Sequence, residues 1–326
     1  MAGELWNQVW EIGVETTAGT PVARTRKMYF DGESKLTRSH DPRPHKFATG
    51  TRDNVRAFTT GPQMVEGTLS QPLSSADIVE FCLMALDGTV TPTGAGTAKL
   101  WTFEPGNTLD FVSLGWHDGA RPWLASGVYG SKLKISGNVK EATTVSLDVV
   151  GLTMTQTALT GGFADRIPSI IEGWETKLYI DTFGGTAGST QVTGTLINWD
   201  VEIDNQLKRK FYASNSNATS AIVADELVIT AKLLFEASNA TSLTEFNNWI
   251  AGTKRLVRLD FGNNVTISGA DKEFVTIDIP GAWEAVDLGQ TDENTRAYEL
   301  SLQYVYDTTN TYGVQIRAQS NRSTAY

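Results

Sequence analysis

The sequence predicts a mainly β protein: two tandem β-sandwich or β-barrel modules, each with one flanking α-helix, plus an extended N-terminal arm and long loops. Three observations carry this. Almost the whole chain alternates apolar and polar residues in short runs separated by Gly, Thr and Ser turns. Helical spacing occurs in only two stretches, Val65–Gly88 and Glu226–Gly252. Both of these read as a strand, a turn and a capped helix, and a repeated unit of that kind points to a duplicated module. At 326 residues the chain is long enough for two ordinary cores, and 40% hydrophobic with 10% aromatic residues is enough to fill them.

The boundaries follow from composition. Residues 1–24 lack periodicity and read as an arm, with ETTAGTP (Glu15–Pro21) as a turn-rich link. The first module spans 25–155, a linker with Gly161-Gly162 and Pro168 spans 156–175, and the second module spans 176–310. Residues 311–326 are polar and read as a flexible tail.

Lys27–Gly32 is a short strand, and Glu33–Gln63 is then a long polar loop carrying Lys35, Arg38, Arg43, Lys46, Arg52 and Arg56 against Glu33, Asp41 and Asp53. A loop of that length in a small module is expected to be functional or disordered. Ser74 and Asp77 form a weak capping box for a helix whose apolar face is Ile78, Phe81, Cys82, Ala85 and Leu86, stopped at Asp87-Gly88. Strands follow at Lys99–Glu104, Leu109–Gly119, Pro122–Tyr129, Lys132–Val139 and Thr143–Gly151, the last two as a hairpin with one wet face.

In the second module KLYID (Lys177–Asp181) echoes KMYFD (Lys27–Asp31), although Leu196–Asp204 competes as the partner of a first-module strand. Asn205–Asp225 is a second polar loop, with Lys208, Arg209 and Lys210. Leu227–Glu236 leads to the second helix, with Ser242 and Glu245 as a capping box and Leu243, Phe246 and Ile250 as its apolar stripe. Strands at 255–261, 273–283 and 296–307 complete the module.

The chemistry-bearing residues are sparse. The formal net charge is −10, a poor balance for gripping nucleic acid. Cys82 is the one cysteine, which excludes an internal disulfide framework, and its place on an apolar helix face points to packing. His40 and His45 lack a metal-ligand spacing, and His117-Asp118 reads as a strand end before a turn. Asp200, Glu202 and Asp204 alternate with Trp199, Val201 and Ile203, so they are the wet face of a strand. Nucleotide-binding and hydrolase motifs are absent, so no catalytic, cofactor-binding or metal residue is expected. Trp101, Trp116, Trp123 and Trp199 lie in alternating strands and are expected in a core or subunit interface rather than on a glycan platform. The start shows no secretory pattern, and no apolar run is long enough to insert in a bilayer.

Several stretches in order resemble the major tail tube proteins of long-tailed, siphovirus-type bacteriophages. They are Glu15–Ser34, Val65–Gly88, Gly127–Gly151, Phe163–Asp181 and Leu196–Asn205; beyond Asn205 the likeness is one of layout. The resemblance implies a structural virion protein without cofactor, a β-sandwich with a flanking helix whose copies close into a ring around a lumen. A two-domain chain then implies homotrimeric, pseudo-hexameric rings stacked into a tube. The implied partners are other copies of the chain, a tape measure protein in the lumen, tail terminator and distal tail or baseplate proteins, and double-stranded DNA in transient passage. The implied location is the virion tail, with the host cytoplasm during assembly. The six basic residues of the first loop are expected to contact the next ring, and Lys208, Arg209 and Lys210 form a second candidate contact. The alternatives are a tube subunit of a related injection or secretion apparatus and a β-sandwich module that binds glycans.

Overall fold

The computed structural model describes residues 7–94, 96–213, 216–237 and 240–324. Strands hold 55% of the residues and helices 7%, so the chain is mainly β. In the first half the elements are β1 (Gln8–Val14), β2 (Arg26–Met28), β3 (Lys35–Lys46), β4 (Val55–Pro72), α1 (Ile78–Ala85), β5 (Lys99–Phe103), β6 (Val112–Asp118), β7 (Pro122–Asn138), β8 (Thr144–Gly151) and β9 (Thr153–Gln156). In the second half they are β10 (Thr176–Thr182), β11 (Gln191–Val192), β12 (Leu196–Asp204), β13 (Lys208–Lys210), β14 (Ala221–Val223) and β15 (Val228–Glu236). There follow α2 (Ala240–Ile250), β16 (Lys254–Ser268), β17 (Asp271–Asp292), β18 (Thr295–Tyr304) and β19 (Gln315–Ser320).

The two halves repeat one antiparallel pairing scheme. β1 pairs with β2 and β6 as β10 pairs with β11 and β16. β6–β7–β8–β4–β3 is matched by β16–β17–β18–β15–β12. β9 flanks β7 as β19 flanks β17. Register agrees as well. Leu36, Gly67, Val149 and Gly130 share one rung, and Val201, Ala231, Leu302 and Trp283 share the corresponding one. In both halves the next residue is a bulge, Ser131 in β7 and Glu284 in β17.

This scheme corrects several expectations. The N-terminal arm is a strand from Gln8 onward: β1 fills the place β10 takes in the second half, with Trp10 and Ile12 buried. Its period was hidden because Glu11 is buried too, accepting from Arg24 Nε at 3.4 Å and from the linker amides of Thr160 and Gly161 at 2.8 and 2.9 Å. The KMYFD/KLYID echo is not one of position, since Lys27–Met28 lie in β2 while Lys177–Asp181 lie in β10. The strands expected at 122–129 and 132–139 are one strand, β7. It bends at Gly127 (φ +59°) and the Ser131 bulge, pairing with β6 before the bend and β8 after it. The tail is not free either: β19 lies between β17 and β5.

Helix α1 is buried at every position from Ile78 to Ala85. Two of its first-turn groups are acids. Asp77 pairs with Arg166 and, at 3.3 Å, with Arg26; Glu80 pairs with Arg322 and, at 3.0 Å, with Arg26. Arg26 comes from β2, Arg166 from the linker and Arg322 from the tail. Arg322 also donates to Ala76 O at 2.7 Å, and its own carbonyl accepts from Trp101 Nε1 at 3.0 Å. Burial lowers the Arg26 pKa, which Glu80 and Asp77 oppose and Arg322 and Arg166 reinforce. Because Asp77 is committed to these arginines, the expected Ser74 cap does not form: Asp77 is the N-cap residue and makes no side-chain cap bond. Cys82 is buried in the same core, and burial raises its thiol pKa.

α2 differs. Ser242 and Glu245 are its buried residues, while Leu243 and Ile250 are 59% and 65% exposed. The expected capping pair instead works sideways. Glu245 accepts from Arg255 at 3.0 and 3.2 Å and from Trp283 Nε1 at 2.8 Å, and Ser242 Oγ donates to Ala237 O at 3.1 Å. The helix therefore turns its apolar stripe outward.

Removing one member of a buried charge cluster leaves the others unpaired at a cost of about 3–5 kcal/mol. Glu80→Ala should lower the unfolding free energy by that amount in urea titrations. A chain ending at Asn310 loses β19 and Arg322 and should be recovered as insoluble or molten protein, whereas a free tail would be dispensable.

Candidate functional site

A run of eight strands crosses both halves: β3–β4–β8–β7–β12–β15–β18–β17. Its central junction is β7 against β12, paired from Lys132↔Asp204 to Asn138↔Asn198. One side of the run is core, with Leu69, Leu147, Leu133, Val201, Leu233 and Leu300 buried. The other side is wet. Across the junction on that side, Lys134 Nζ lies 2.7 Å from Asp200, and Lys132 Nζ lies 2.8 Å from Glu202 and 3.5 Å from Asp204. The hydrogen bond to Glu202 is the largest factor raising the Lys132 pKa, ahead of partial burial, which lowers it. The acid triplet is thus the wet face of β12, compensated by lysines of the other half.

The junction also depends on close backbone approach. Gly137 sits on the rung of Trp199, and a Cβ there would meet Trp199 Cζ2 at 2.8 Å. Trp199 is fully buried and Trp101 nearly so, as expected of core aromatics; Trp116 and Trp123 are half-buried. The latter two line an open groove with Leu36, Arg38, His40 and Asp118. Trp10 stacks on Trp116 at 5.2 Å and occupies one of its faces, and Trp123 Nε1 donates to Asp118 at 2.8 Å. Among the described residues no group of three or more His, Cys, Asp or Glu is placed to hold a metal. His45 Nε2 is 2.8 Å from Thr59 Oγ1, and His117 Nδ1 accepts from Gly119 N at 3.1 Å. Among the described residues no helix is long and apolar enough to cross a membrane.

Both ends of the run are open. β3 pairs with β4 alone, and beyond Ala282 β17 pairs with β18 alone, among the described residues. The long basic loop is not a loop but the β3–β4 hairpin, in which every residue from His40 to Thr60 except Asn54 is exposed. Alternation failed to reveal these strands because neither face of the hairpin's outer part is buried, so no hydrophobic period exists to read. Arg38 is tied to the base, donating to Met154 O at 3.0 Å and Gln63 Oε1 at 2.8 Å. Arg43 pairs with Asp41 at 3.1 Å, and Arg56 reaches only Thr51 Oγ1 at 3.3 Å. Lys35, Lys46 and Arg52 are exposed, and Phe47 and Phe58 stand 54% and 64% exposed among them.

The second polar stretch is a short hairpin, β13–β14, whose residues 214–215 fall outside the described ones. Its cations are committed within the chain to a greater degree. Lys208 pairs with Asp225, and Arg209 pairs with Glu66 at 3.0 Å; Lys210 is exposed. Asn217 and Thr219, next along the same segment, bond to Gly61 and Gln63 of β4 at 2.7–3.3 Å. This segment buttresses the first hairpin.

With the geometry in hand, comparison adds no identity: the chain matches no protein-family model and no curated protein.

The junction ion pairs are about one-third exposed, so each is worth less than about 1 kcal/mol, and that is reduced by salt. Overpacking costs about 1–3 kcal/mol. Gly137→Val should therefore destabilise the chain more than Lys134→Ala in denaturant titrations, and only the effect of Lys134→Ala should shrink in high salt.

Proposed function

We propose that this chain is a structural subunit that assembles with copies of itself into rings and stacked tubes, the major tail tube protein of a siphovirus-type bacteriophage. The observation that carries the reading is the eight-stranded run with both edges unpartnered. A long open edge is a template for pairing with another chain, and closure into a ring abolishes it. In this reading each half is a tail-tube β-sandwich with its helix at the flank, and three chains supply six such modules to a pseudo-hexameric ring. The sequence resemblance supports the same assignment.

The wet face of the run becomes the wall of the lumen. It carries Glu66, Asp148, Asp200, Glu202, Asp204, Glu236, Asp287 and Glu299 against Lys35, Lys132, Lys134 and Lys232, with Ser and Thr between. An acidic wall repels phosphate and lets duplex DNA slide without being gripped. The β3–β4 hairpin, basic with exposed phenylalanines, projects from the ring and docks on the next one. A tape measure protein during assembly, and terminator and distal tail proteins at the ends, complete the partner set. The tail of the virion is the site of action, reached from the host cytoplasm.

Purified protein at high concentration should give rings or tubes in negative-stain micrographs, with threefold or pseudo-sixfold averages. A protein that stays monomeric at all concentrations would refute the reading. Arg43→Glu, Lys46→Glu and Arg52→Glu together should leave the circular dichroism spectrum and ring formation intact while preventing rings from stacking into tubes; normal tube growth would show that the hairpin is not the stacking contact.

A further inference from the structure

The junction inside the chain is a template for the junction between chains, because the pairing scheme occurs twice. In the corresponding registers, β3 stands where β12 stands, with Lys35 at the position of Asp200, Thr37 at Glu202 and Ser39 at Asp204. β17 stands where β7 stands, with Ala285 at the position of Lys132, Val286 at Leu133 and Asp287 at Lys134, each counted from the matching bulge. Placing the β3 edge of one chain on the β17 edge of the next in the register of β7–β12 puts Thr37 opposite Asp287 and Ser39 opposite Ala285.

The charges then fall into place with their signs exchanged. Within the chain Lys134 of β7 reaches diagonally to Asp200 of β12 at 2.7 Å. The corresponding residues between chains are Asp287 of β17 and Lys35 of β3. Lys35 has no ion-pair partner among the described residues and is exposed. Asp287 is set directly opposite another acid, Glu299, on β18. Like charges facing each other on adjacent strands are unfavourable; Asp287 accepts from Gly289 N at 2.8 Å and Gln290 Nε2 at 2.7 Å, and no cation pairs with it among the described residues. Leu288, 45% exposed, follows Asp287 at a second bulge of β17, between Asp287 and Gln290, where the parallel with β7 ends. Beside this edge α2 leaves Leu243 and Ile250 bare, and Trp249 Nε1 binds Glu284 O in the bulge itself at 3.3 Å. α1, at the equivalent place in the first half, touches β7 near its own bulge through Gly130 and is covered by the second half, including Arg322.

We infer that the partner of the β17 edge and the adjoining outer face of α2 is the β3 edge of a second copy of this chain, in the register of β7–β12, with Lys35 paired to Asp287. This rests on the ring reading and specifies which strand meets which, and in what register. It also explains why the junctions do not interchange: an acidic β12 edge set against the acidic β17 edge would be repelled, so the free edges select each other.

Charge exchange tests it in the full-length chain. Lys35→Asp alone and Asp287→Lys alone should each raise the protein concentration needed for half-maximal ring formation by roughly tenfold. The double exchange Lys35→Asp with Asp287→Lys should restore it. Neutral single variants with no rescue by the exchange would overturn the assigned pair. Independently, Ser39→Cys combined with Ala285→Cys should oxidise to interchain disulfides, with species no larger than a closed ring before stacking, since paired residues lie within disulfide reach. Rings that form but link through Thr37→Cys with Ala285→Cys and not through Ser39→Cys with Ala285→Cys would overturn the register while leaving the ring reading standing. Wild-type protein that never forms rings would sink the ring reading, and this inference with it.

Discussion

The structure is governed by the need of every backbone N–H and C=O in a sheet to find a partner. Among the described residues seventeen strands belong to one hydrogen-bonded network, and within its eight-stranded inner run the outer sides of β3 and of β17 beyond Ala282 have no strand paired to them. The internal edges that would otherwise be open, β7 and β12, are joined to each other. The joint is mainly a backbone ladder, deepened by Trp199 over Gly137, with the lysine–acid pairs contributing little in free energy and more in register. A one-residue slip would carry Trp199, Val201 and Ile203 to the wet side, so the hydrophobic pattern fixes the alignment and the charges agree with it.

A second constraint keeps the two halves from behaving as beads on a string. Glu80 and Asp77 are buried at the start of α1 and are satisfied only by arginines from three separate parts of the chain: β2, the linker and the tail. β5, from the first half, pairs with β19, from the second. The helix can therefore be buried only when the C-terminal residues have arrived. The core of the first half is completed by β19 and Arg322, far along the chain, which gives this polar segment a structural duty its composition conceals. In the second half no described segment does the same for α2, and Leu243 and Ile250 of its apolar stripe stay exposed.

Much of the β character was legible in the sequence. Alternation located β8, β12, β15 and β18 because each has one buried and one wet face. Both helices were found from their apolar spacing, but the spacing could not say which face would be covered. Leu243, Phe246 and Ile250 form as good a stripe as that of α1, yet Glu245 supplies the packed face by bonding Arg255 and Trp283. Three things were hidden. β1 buries Glu11, and Glu15 just past its end is buried too, so the polar residues of this stretch look like loop. The β3–β4 hairpin buries nothing in its outer part and so carries no period. β7 and β17 change partners midway, and the phase of their alternation shifts at a bulge, Ser131 in one and Glu284 in the other, that no turn residue pattern marks in both. The basic patch of the first loop was visible as composition, whereas the commitment of Lys208 and Arg209 to Asp225 and Glu66 depends on a fold that brings distant segments together.

Duplication explains why the sequence halves diverged where they did. Two identical modules in tandem would present identical edges, and any module could then pair with any other, within or between chains. Here the internal joint sets lysines of β7 against acids of β12, while the free edges carry Asp287 on β17 and Lys35 on β3. Reversing the sign at one of two homologous joints costs little in stability, since exposed pairs are weak. It adds a penalty for every wrong pairing, because like charges then face each other along the ladder. Discrimination needs only the difference between right and wrong partners, and in the proposed ring that difference would be multiplied over every joint. In the proposed ring, weak charges on strong backbone ladders would be sufficient to order the assembly, while the corresponding buried rungs, Leu36 with Val201 and Leu147 with Leu300, stay apolar in both halves.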